Sequence, residues 1–483
     1  MERRFPGERS RYETPLLLAT IMLALITRLG LMATQPLTDQ TEARYGELAR
    51  VTADGGYWLM PHIATGEPFL AKPPLATWLS ALSWKFLGEN EFCLRLPSFL
   101  ATIATGWLLL ASAHDFGIGS VGKWMIAACL ATSPISITCA GSVMTDAPQL
   151  LVVTAAMLSA WRAINGSSGE IWRLIFWGTL GVATLSKGLA TLALIGIPLI
   201  GFSFTEVGFR PVIRGLWSLR GCLLAIAIAL AWYVPAELAY PGFLKYFLIG
   251  EHFQRFLQPN WAGDRFGHAH SVPFGTIWLY WAAATLFWFP VMIESGVRTW
   301  RGSPAGITRS DRWLWCWILT PLLFFTFARN ILWTYTLTVI PPFALFVGRW
   351  SEEAVHWGRR TTPALLAAGG GLAFLLCVAW APERFESRSA RSLVRQVARM
   401  EPRRQSVHVA GGFQFSSRFY TRGHAIAVDT PDKWDAVLHQ PVAVLIAPRS
   451  AVQTELASGR VRLVAEESNS VLVEITEPRY AAK

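Results

Sequence analysis

The chain has 483 residues, of which 52% are hydrophobic and only 16% charged, and it contains 23 tryptophans. This composition indicates an integral membrane protein. The formal net charge of +11 lies mostly in short connections between apolar runs. We therefore interpret the charge as a topology signal, and it predicts no nucleic-acid partner.

Apolar runs long enough to cross a hydrocarbon core of about 30 Å recur along the chain, and we count eleven of them, within two either way. They lie at 14–34, 98–113, 123–139, 147–163, 171–186, 188–205, 221–236, 276–294, 313–328, 331–348 and 363–380. The first run has no small-x-small cleavage site, which favours an uncleaved span over a signal peptide. Lysine and arginine in alternate connections predict a cytoplasmic N-terminus. An odd number of spans then places the C-terminal region in the periplasm.

The sequence predicts a transmembrane catalytic domain at 1–380 and a small periplasmic α/β domain at 381–483. Within the first domain, 35–97 and 237–275 are predicted periplasmic loops. Leu75 to Leu87 has its apolar residues at helical spacing, which indicates an amphipathic helix in the membrane interface. The C-terminal domain is predicted from a helical stretch at 392–400 and short β-rich runs. These runs are 406–410, 425–428, 442–446, 461–465 and 471–475.

Ionisable residues from six separate stretches fall at the periplasmic face when the spans are threaded through a bilayer. They are Asp39, Glu42, Arg44, Lys72, Asp146, Lys187, Glu251, His252, Arg255 and Arg329. A charge held near hydrocarbon costs about 2.5–3.5 kcal/mol on insertion scales, so such residues are usually functional. Their position at one face predicts an active site rather than a conduction path.

Several of these residues also have a structural interpretation. Asp39 or Thr41 could cap the helix that follows, and Asp146 could cap the fourth span. Lys72, Lys187 and Arg329 could be cations that extend toward the headgroups. Taken together, these interpretations require six unrelated segments to place such residues at one face by chance.

The second predicted periplasmic loop contains candidate metal ligands. His252 would be a packing residue by default, but Glu251 and Arg255 share a helix edge beside it at i and i+4. The pattern Asp264-x3-His268-x-His270 in the same loop could bind a divalent metal, although its spacing is not specific. No phosphate-binding glycine loop is present, and the sequence predicts no cofactor other than this divalent metal.

The polar segments resemble one known family. Asp39 to Arg50, Gly56 to Pro61, Pro68 to Pro74 and Arg95 to Pro97 are similar to the first periplasmic loop of the ArnT-like GT-C glycosyltransferases, and more distantly of protein O-mannosyltransferases. Further landmarks follow in the same order. They are Asp146, Ser186 to Gly188, Glu251 to Phe256 and Arg329 to Tyr335.

This resemblance implies a GT-C fold of about 11–13 transmembrane helices and transfer of a sugar from a polyprenyl phosphate carrier to a lipid or glycan acceptor at the periplasmic face of the inner membrane. It implies catalytic roles for Asp39, Glu42 and Asp146. It also implies binding of the donor phosphate or substrate by a larger set. This set is Arg44, Tyr45, Lys72, Lys187, Glu251, Arg255, Arg329 and Tyr335.

The chain departs from the family pattern at two positions. Thr41-Glu42 replaces an acidic pair, with the aspartate earlier at Asp39, and Ala71 stands where the family has a glutamate associated with a metal site. The second departure weakens the prediction that His252 binds a metal.

Three alternative functions differ in what they require of the chain. A protein O-glycosyltransferase of the same fold differs only in its acceptor. A secondary transporter would place charges near the bilayer midplane in broken helices at repeat interfaces, and no repeat is visible. An envelope scaffold would not need Asp39, Lys72 and Asp146 to converge. The sequence therefore favours a membrane glycosyltransferase.

Overall fold

The computed structural model describes residues 6–166, 169–205, 208–258, 261–263, 265–266, 271–302, 307–356, 361–400, 406–440, 443–467 and 470–476. The α-helices are α1 (Pro6–Thr34), α2 (Thr41–Gly55), α3 (Leu75–Leu87), α4 (Glu91–Ser112), α5 (Ser120–Thr132), α6 (Pro134–Cys139), α7 (Asp146–Ile164), α8 (Gly169–Lys187), α9 (Leu189–Thr205), α10 (Phe209–Leu216), α11 (Leu219–Ala239), α12 (Arg255–Leu257), α13 (Thr276–Ala284), α14 (Phe289–Gly302), α15 (Arg309–Thr326), α16 (Ile340–His356), α17 (Thr362–Ala379), α18 (Glu383–Glu386), α19 (Arg391–Val397), α20 (Gln414–Tyr420), α21 (Pro431–Leu438) and α22 (Gln453–Ala457).

The strands are β1 (His62–Ala64), β2 (Glu67–Pro68), β3 (Val407–Val409), β4 (Ile426–Ala427), β5 (Val444–Pro448), β6 (Val461–Glu467) and β7 (Ser470–Ile475). A π-helix covers Lys245–Gln254, and 3₁₀ turns cover Ala113–Phe116, Trp333–Val339 and Arg449–Ala451.

In the described part of the chain, five helices are long and apolar enough to cross a membrane, judged by length and composition. They are Thr14–Thr34, Glu91–Phe116, Asp146–Ile164, Leu219–Ala239 and Thr362–Ala379. Each contains or overlaps one of the predicted runs. Two shorter apolar helices, Ser120–Thr132 and Leu189–Thr205, match two further runs.

Some predicted spans are interrupted. The run at 123–139 is divided between α5 and α6, because Ser133 precedes Pro134 and is extended, with φ −69° and ψ 131°. A residue before proline is disfavoured in the α-helical region, so α5 ends at Thr132. The run at 276–294 is likewise divided between α13 and α14, and the run at 331–348 between a 3₁₀ turn and α16.

The chain folds into two compact units, each built from separate segments. The first unit comprises Met1–Gly30, Phe69–Leu79 and Arg95–Cys377. The second comprises Leu31–Pro68, Ser80–Leu94 and Val378–Lys483. Most of the first predicted loop thus groups with the C-terminal region. The domain boundary predicted between residues 380 and 381 stays a prediction.

Aromatic and glycine contacts hold the helices of the first unit together. The ring centroid of Trp313 lies 5.3 Å from that of Trp161 and 5.0 Å from that of Phe202, and all three side chains are buried. Helices α5 and α16 cross at Gly122 and Gly348. A Cβ on Gly348 would lie 2.8 Å from the carbonyl oxygen of Gly122, so the two backbones approach as closely as small residues allow.

Helices α8 and α11 run in the same direction. At one end, the Trp177 indole N–H donates to the Leu216 carbonyl at 2.8 Å. At the other end, the Tyr233 hydroxyl donates to the Thr184 carbonyl at 2.8 Å. The Lys187 ammonium, at the end of α8, contacts Asp146, at the start of α7. Helix α7 therefore begins beside the end of α8. The start of α7 and the ends of α8 and α11 therefore meet at one end of this helix group.

The second unit contains a five-stranded sheet in the order β4-β3-β5-β7-β6. Strand β3 pairs in parallel with β4 and β5, while β7 pairs antiparallel with β5 and β6. Alternate residues of β5 face opposite sides. Val444 and Ile446 pack in one core with Leu393 of α19, and Leu445 packs in another with Val437 of α21. Burial on both faces explains the continuous apolar run of this strand.

The predicted secondary structure of this region is confirmed. Each of the five predicted β-rich runs overlaps a strand, and the helical stretch at 392–400 overlaps α19. The helix predicted at Leu75 to Leu87 is present with those bounds.

Candidate active site

A buried carboxylate in the first unit binds two cations, one from a distant segment and one from four residues along the chain. The Oε2 atom of Glu251 accepts from the Lys72 ammonium at 2.9 Å and from the Arg255 guanidinium at 2.8 Å. Its Oε1 atom accepts from the Tyr246 hydroxyl at 3.1 Å. The Glu251 side chain is 1% exposed. Both of its oxygens are thus occupied by donors, and we call these four residues the Glu251 cluster.

Charge, rather than solvent, stabilises the ionised form of this carboxylate. Burial alone would raise the pKa of Glu251, but the charges and hydrogen bonds of Lys72 and Arg255 outweigh burial and hold the pKa at about 2. Burial lowers the pKa of Lys72 from its usual value, and Arg255 and Lys187 add to this effect, while Glu251 opposes it. Lys72 therefore experiences three charges at once, one attractive and two repulsive.

A second ion pair lies within the same unit. The Lys187 ammonium, at the end of α8, donates to Oδ1 of Asp146, at the start of α7, at 2.8 Å. The same ammonium lies 5.2 Å from the ring centroid of Tyr335, within the range of a cation–π interaction. Both members of the pair are largely buried, with side chains 11% and 6% exposed. Asp146 thus anchors Lys187, and its carboxylate is not simply a helix cap.

His252 connects the π-helix to the turn that follows α8. Its Nδ1 lies 2.8 Å from the Phe247 carbonyl oxygen, and its Nε2 lies 3.2 Å from that of Lys187. Burial lowers the pKa of His252, against these two carbonyls, which raise it. The imidazole therefore lies between the π-helix and the turn that follows α8.

The surroundings of His252 do not fit a metal site. Each ring nitrogen already faces a carbonyl oxygen, so a metal ion would have to displace one of these contacts. Within the described ranges, no three His, Cys, Asp or Glu side chains are close enough to hold a metal ion. The pattern of Asp264, His268 and His270 lies outside the described residues.

Arg329 occupies different surroundings. Its guanidinium lies 5.4 Å from the ring centroid of Phe274, and its carbonyl accepts from the Val272 amide at 2.9 Å. It follows the end of α15. Helix α9 begins beside Lys187, and the start of α15 lies beside the other end of α9, where the Arg309 guanidinium approaches the Phe202 ring. Arg329 is thus at the same end of the helix group as Lys187.

The second unit contains the remaining predicted site residues. The carboxylate of Asp39 accepts backbone N–H bonds from Phe415 at 3.1 Å and Ser416 at 3.0 Å. These amides belong to the first turn of α20. Asp39 is therefore a helix cap, as the structural interpretation proposed, but for a helix far along the chain. Helix α2, which directly follows it, has Gln40 as its N-cap and no side-chain capping bond.

The neighbours of Asp39 on α2 are also held within this unit. Glu42 is buried, and its carboxylate accepts from the Thr38 amide at 3.3 Å. The Arg44 guanidinium lies 5.6 Å from the ring centroid of Tyr45 and 5.8 Å from that of Phe415. These contacts fix the side chains, and the catalytic and binding roles predicted for them remain predictions.

Tyr246 is a site residue that the sequence did not indicate. It is five residues before Glu251, and residues at that spacing do not share a face of an α-helix. In a π-helix, hydrogen bonds run between residues five apart, so the two side chains meet. The equal spacing of His252 and Phe247 has the same origin. Only the unusual helix type brings these groups together, and no sequence signal indicates it.

The turn after α8 supplies one prediction. Gly188 has φ +64°, and a Cβ there would lie 2.7 Å from the Phe247 ring and 2.9 Å from Nε2 of His252. We expect Gly188→Ala to lower the free energy of unfolding by about 1–2 kcal/mol from the backbone alone, with a further loss from the contact with His252.

Thermal unfolding of the purified protein in detergent measures this effect. Gly196→Ala is the matched control, because a Cβ at Gly196 meets nothing within 4 Å. Equal unfolding midpoints for Gly188→Ala and wild type would contradict the assignment of a tight turn against His252.

Asp39 supplies a prediction on pH. Burial raises its pKa from 3.8 to about 6, although the hydrogen bonds from Ser416 and Phe415 lower it. Since the folded pKa is raised, the contribution of Asp39 to stability is fully present below pH 3.8 and is lost as pH rises through about 6. We expect Asp39→Asn to remove this part of the pH dependence, as measured by unfolding midpoints between pH 4 and pH 8.

Asp432→Asn, at an exposed carboxylate of the same unit, is the control and should leave the pH dependence unchanged. The same pH profile for Asp39→Asn and wild type would show that Asp39 does not titrate in this range.

Comparison with known proteins identifies relatives of this chain. Residues 71–261 match the family model of dolichyl-phosphate-mannose-protein mannosyltransferase. An undecaprenyl phosphate-alpha-4-amino-4-deoxy-L-arabinose arabinosyl transferase of Serratia proteamaculans is 26% identical over 75% of this chain and 63% of its own length. A second such transferase, from Proteus mirabilis, is 27% identical over 70% of this chain and 60% of its own length. The chain spans about three fifths of the length of these curated relatives.

A solved structure has the same fold. ArnT from Cupriavidus metallidurans, crystallised with undecaprenyl phosphate, superposes with a TM-score of 0.79 at 16% sequence identity, over 96% of this chain and 100% of that one. The likeness extends over both compact units. The chain therefore has the GT-C fold of ArnT, and its sequence is similar to those of the bacterial arabinosyl transferases and, over residues 71–261, to the protein mannosyltransferase family.

Proposed function

We propose that the chain is an integral membrane glycosyltransferase that moves a sugar from a polyprenyl phosphate carrier, such as undecaprenyl phosphate, to an envelope acceptor such as lipid A or another glycan. The observation that carries this proposal is the pairing of Lys72 and Arg255 on one buried carboxylate, beside a third cation, Lys187. The relatives support the choice of donor, because their names specify an undecaprenyl phosphate sugar.

The charges of the first unit suit an anionic donor. Lys72, Lys187 and Arg255 supply three positive charges, whereas Glu251 and Asp146 supply two negative ones. One positive charge is thus left over. Side-chain exposures of 25% for Lys72 and 23% for Arg255 leave part of each cation accessible while Glu251 is enclosed. A phosphate can therefore approach the cations from the side away from Glu251.

The chemical step needs charge stabilisation at the carrier phosphate. The bond between the anomeric carbon and the phosphate oxygen breaks, and its electron pair remains on the phosphate. The acceptor oxygen forms the new bond to the anomeric carbon. Fixed cations stabilise the negative charge that develops on the leaving phosphate, and Glu251 keeps two of them in place before the reaction begins.

The acceptor decides whether a base is required. A hydroxyl acceptor must lose a proton, and Asp39, Glu42 and Asp146 are the carboxylates predicted for that role or for stabilising the sugar cation. A phosphate acceptor is already ionised and needs no base. Asp146 forms an ion pair with Lys187 and Asp39 accepts two backbone N–H bonds, so both also have structural tasks.

We assign the reaction to the periplasmic face of the bacterial inner membrane, with the N-terminus in the cytoplasm. The arginine-rich connections support this orientation by the positive-inside rule. The match to the protein mannosyltransferase family includes Lys72, Lys187 and Glu251, so a protein O-glycosyltransferase is the second candidate. The two candidates share a donor and differ in the acceptor.

The donor is tested with purified protein in detergent. We expect turnover with undecaprenyl-phosphate-linked sugar and none with UDP-sugars. Lys72→Met should weaken donor use by about 1.5–3 kcal/mol, the usual contribution of a charge-assisted contact. Glu251 keeps Arg255 as a partner in this variant, so the protein should still fold.

Lys123→Met is the matched control, because Lys123 is an exposed lysine of the same unit and should tolerate the change. Turnover with a nucleotide sugar in the absence of polyprenyl phosphate would refute the proposal. Mass spectrometry of envelope lipids, glycans and proteins from deletion and wild-type cells then identifies the acceptor.

A further inference from the structure

A second polar site lies at the other end of the first unit. A surface cavity that is widely open, with a volume of about 460 Å³, is lined by Arg173, Arg210, Ile213, Arg214 and Trp217. It lies where α8 begins, beside α10 and just before α11. Arg173 and Lys187 are at opposite ends of α8, about 21 Å apart along the helix axis. The cavity is therefore separate from the Glu251 cluster.

Hydrogen bonds fix one wall of this cavity. The Arg173 guanidinium donates through Nε to the Gly215 carbonyl at 2.9 Å, and the Trp177 indole donates to the Leu216 carbonyl at 2.8 Å. Helix α10 turns Val212 and Leu216, four residues apart, into the core. Its position against α8 is thus set from the buried side, and its remaining residues face outward.

The outward face of α10 has unbalanced positive charge. Arg210 and Arg214 are exposed, and within the described residues neither forms an ion pair. The acidic neighbour of Arg173 is Glu170, at 3.7 Å, and that carboxylate also accepts from the Ser218 hydroxyl. Among the described residues, the three guanidinium groups at this cavity have one acidic neighbour, Glu170, and such an excess of positive charge attracts an anion.

The apolar rim distinguishes between a soluble anion and a lipid. Ile213 is 58% exposed and Trp217 59% exposed, both at the cavity. Helix α11, which starts two residues after Trp217, is a candidate span with only 11% of its apolar window buried. Leu219 and Leu223 continue this exposed apolar surface at 63% and 58%. A phosphate bound by the arginines would thus have hydrocarbon-compatible surface directly beside it.

We propose that this cavity binds the phosphate headgroup of an anionic phospholipid, with the acyl chains along α11 and Trp217 at the level of the headgroups. A phosphatidylglycerol-type lipid has both required parts, an anionic phosphodiester and acyl chains. The site is independent of the proposed sugar transfer, because its residues are at the opposite end of α8 from Lys187.

The test compares lipid retention by the full-length protein. Native mass spectrometry of the detergent-purified protein, with equal amounts of dioleoyl phosphatidylglycerol and dioleoyl phosphatidylcholine added, reports the lipids that stay bound. We expect retention of phosphatidylglycerol over phosphatidylcholine. Arg214→Gln should weaken this binding about fivefold, and Arg210→Gln combined with Arg214→Gln roughly thirtyfold, at about one charge contact for each arginine.

Arg220→Gln is the matched control, since Arg220 is exposed on the first turn of α11 but does not line the cavity. We expect less than about a twofold change for this variant if the cavity, rather than general surface charge, holds the lipid. Unfolding midpoints in lipid-free detergent should be equal for all variants, because the changed side chains are exposed.

Three results would overturn the proposal. Equal retention of the two lipids by the wild-type protein would remove the need for an anionic headgroup. An equal loss for Arg220→Gln and Arg214→Gln would assign binding to surface charge in general. Displacement of phosphatidylglycerol by inorganic phosphate at millimolar concentration would identify a site for soluble anions instead of lipids.

Discussion

The enclosed carboxylate of Glu251 is the constraint on which the site depends. Because its side chain is 1% exposed, its charge has to be balanced by cations rather than by water. Lys72 is 179 residues away in the sequence and Arg255 is four residues away, and both contact the same oxygen. This single atom therefore fixes the segment before α3 against the π-helix. Loss of either cation would leave the other still paired, whereas loss of Glu251 would leave two cations beside each other.

The directions of the helices place chemistry of different kinds at the two ends of the first unit. Helix α7 begins, and α8 and α11 finish, at the end with the carboxylate-linked cations. The opposite end has the arginine-lined cavity and the Arg162–Asp115 ion pair, whose atoms are 2.6 Å apart. Fixed cations beside buried carboxylates suit catalysis on a lipid phosphate, and exposed arginines beside apolar surface suit the binding of a headgroup.

Local patterns in the sequence predicted much of this structure. Helical spacing located α3, and alternating apolar runs located the strands of the second unit, because burial on a helix or sheet face leaves a periodic record. Contacts that depend on distant segments left no such record. Asp39 caps α20 across 376 residues, and Tyr246 reaches Glu251 only because the chain forms a π-helix there. The sequence indicated which charged residues to consider, whereas the partner of each charge could not be predicted from it.

Positioning of Lys72 by Glu251 for a polyprenyl phosphate is the central claim. A double-mutant cycle for undecaprenyl phosphate binding, with Lys72→Met, Glu251→Gln and the combined variant, tests it most directly. We predict that the two changes are not additive, with a coupling energy of about 0.5–3 kcal/mol. Additive effects, within about 0.3–0.5 kcal/mol, would show that the phosphate is bound without the Lys72–Glu251 pair and would contradict this claim.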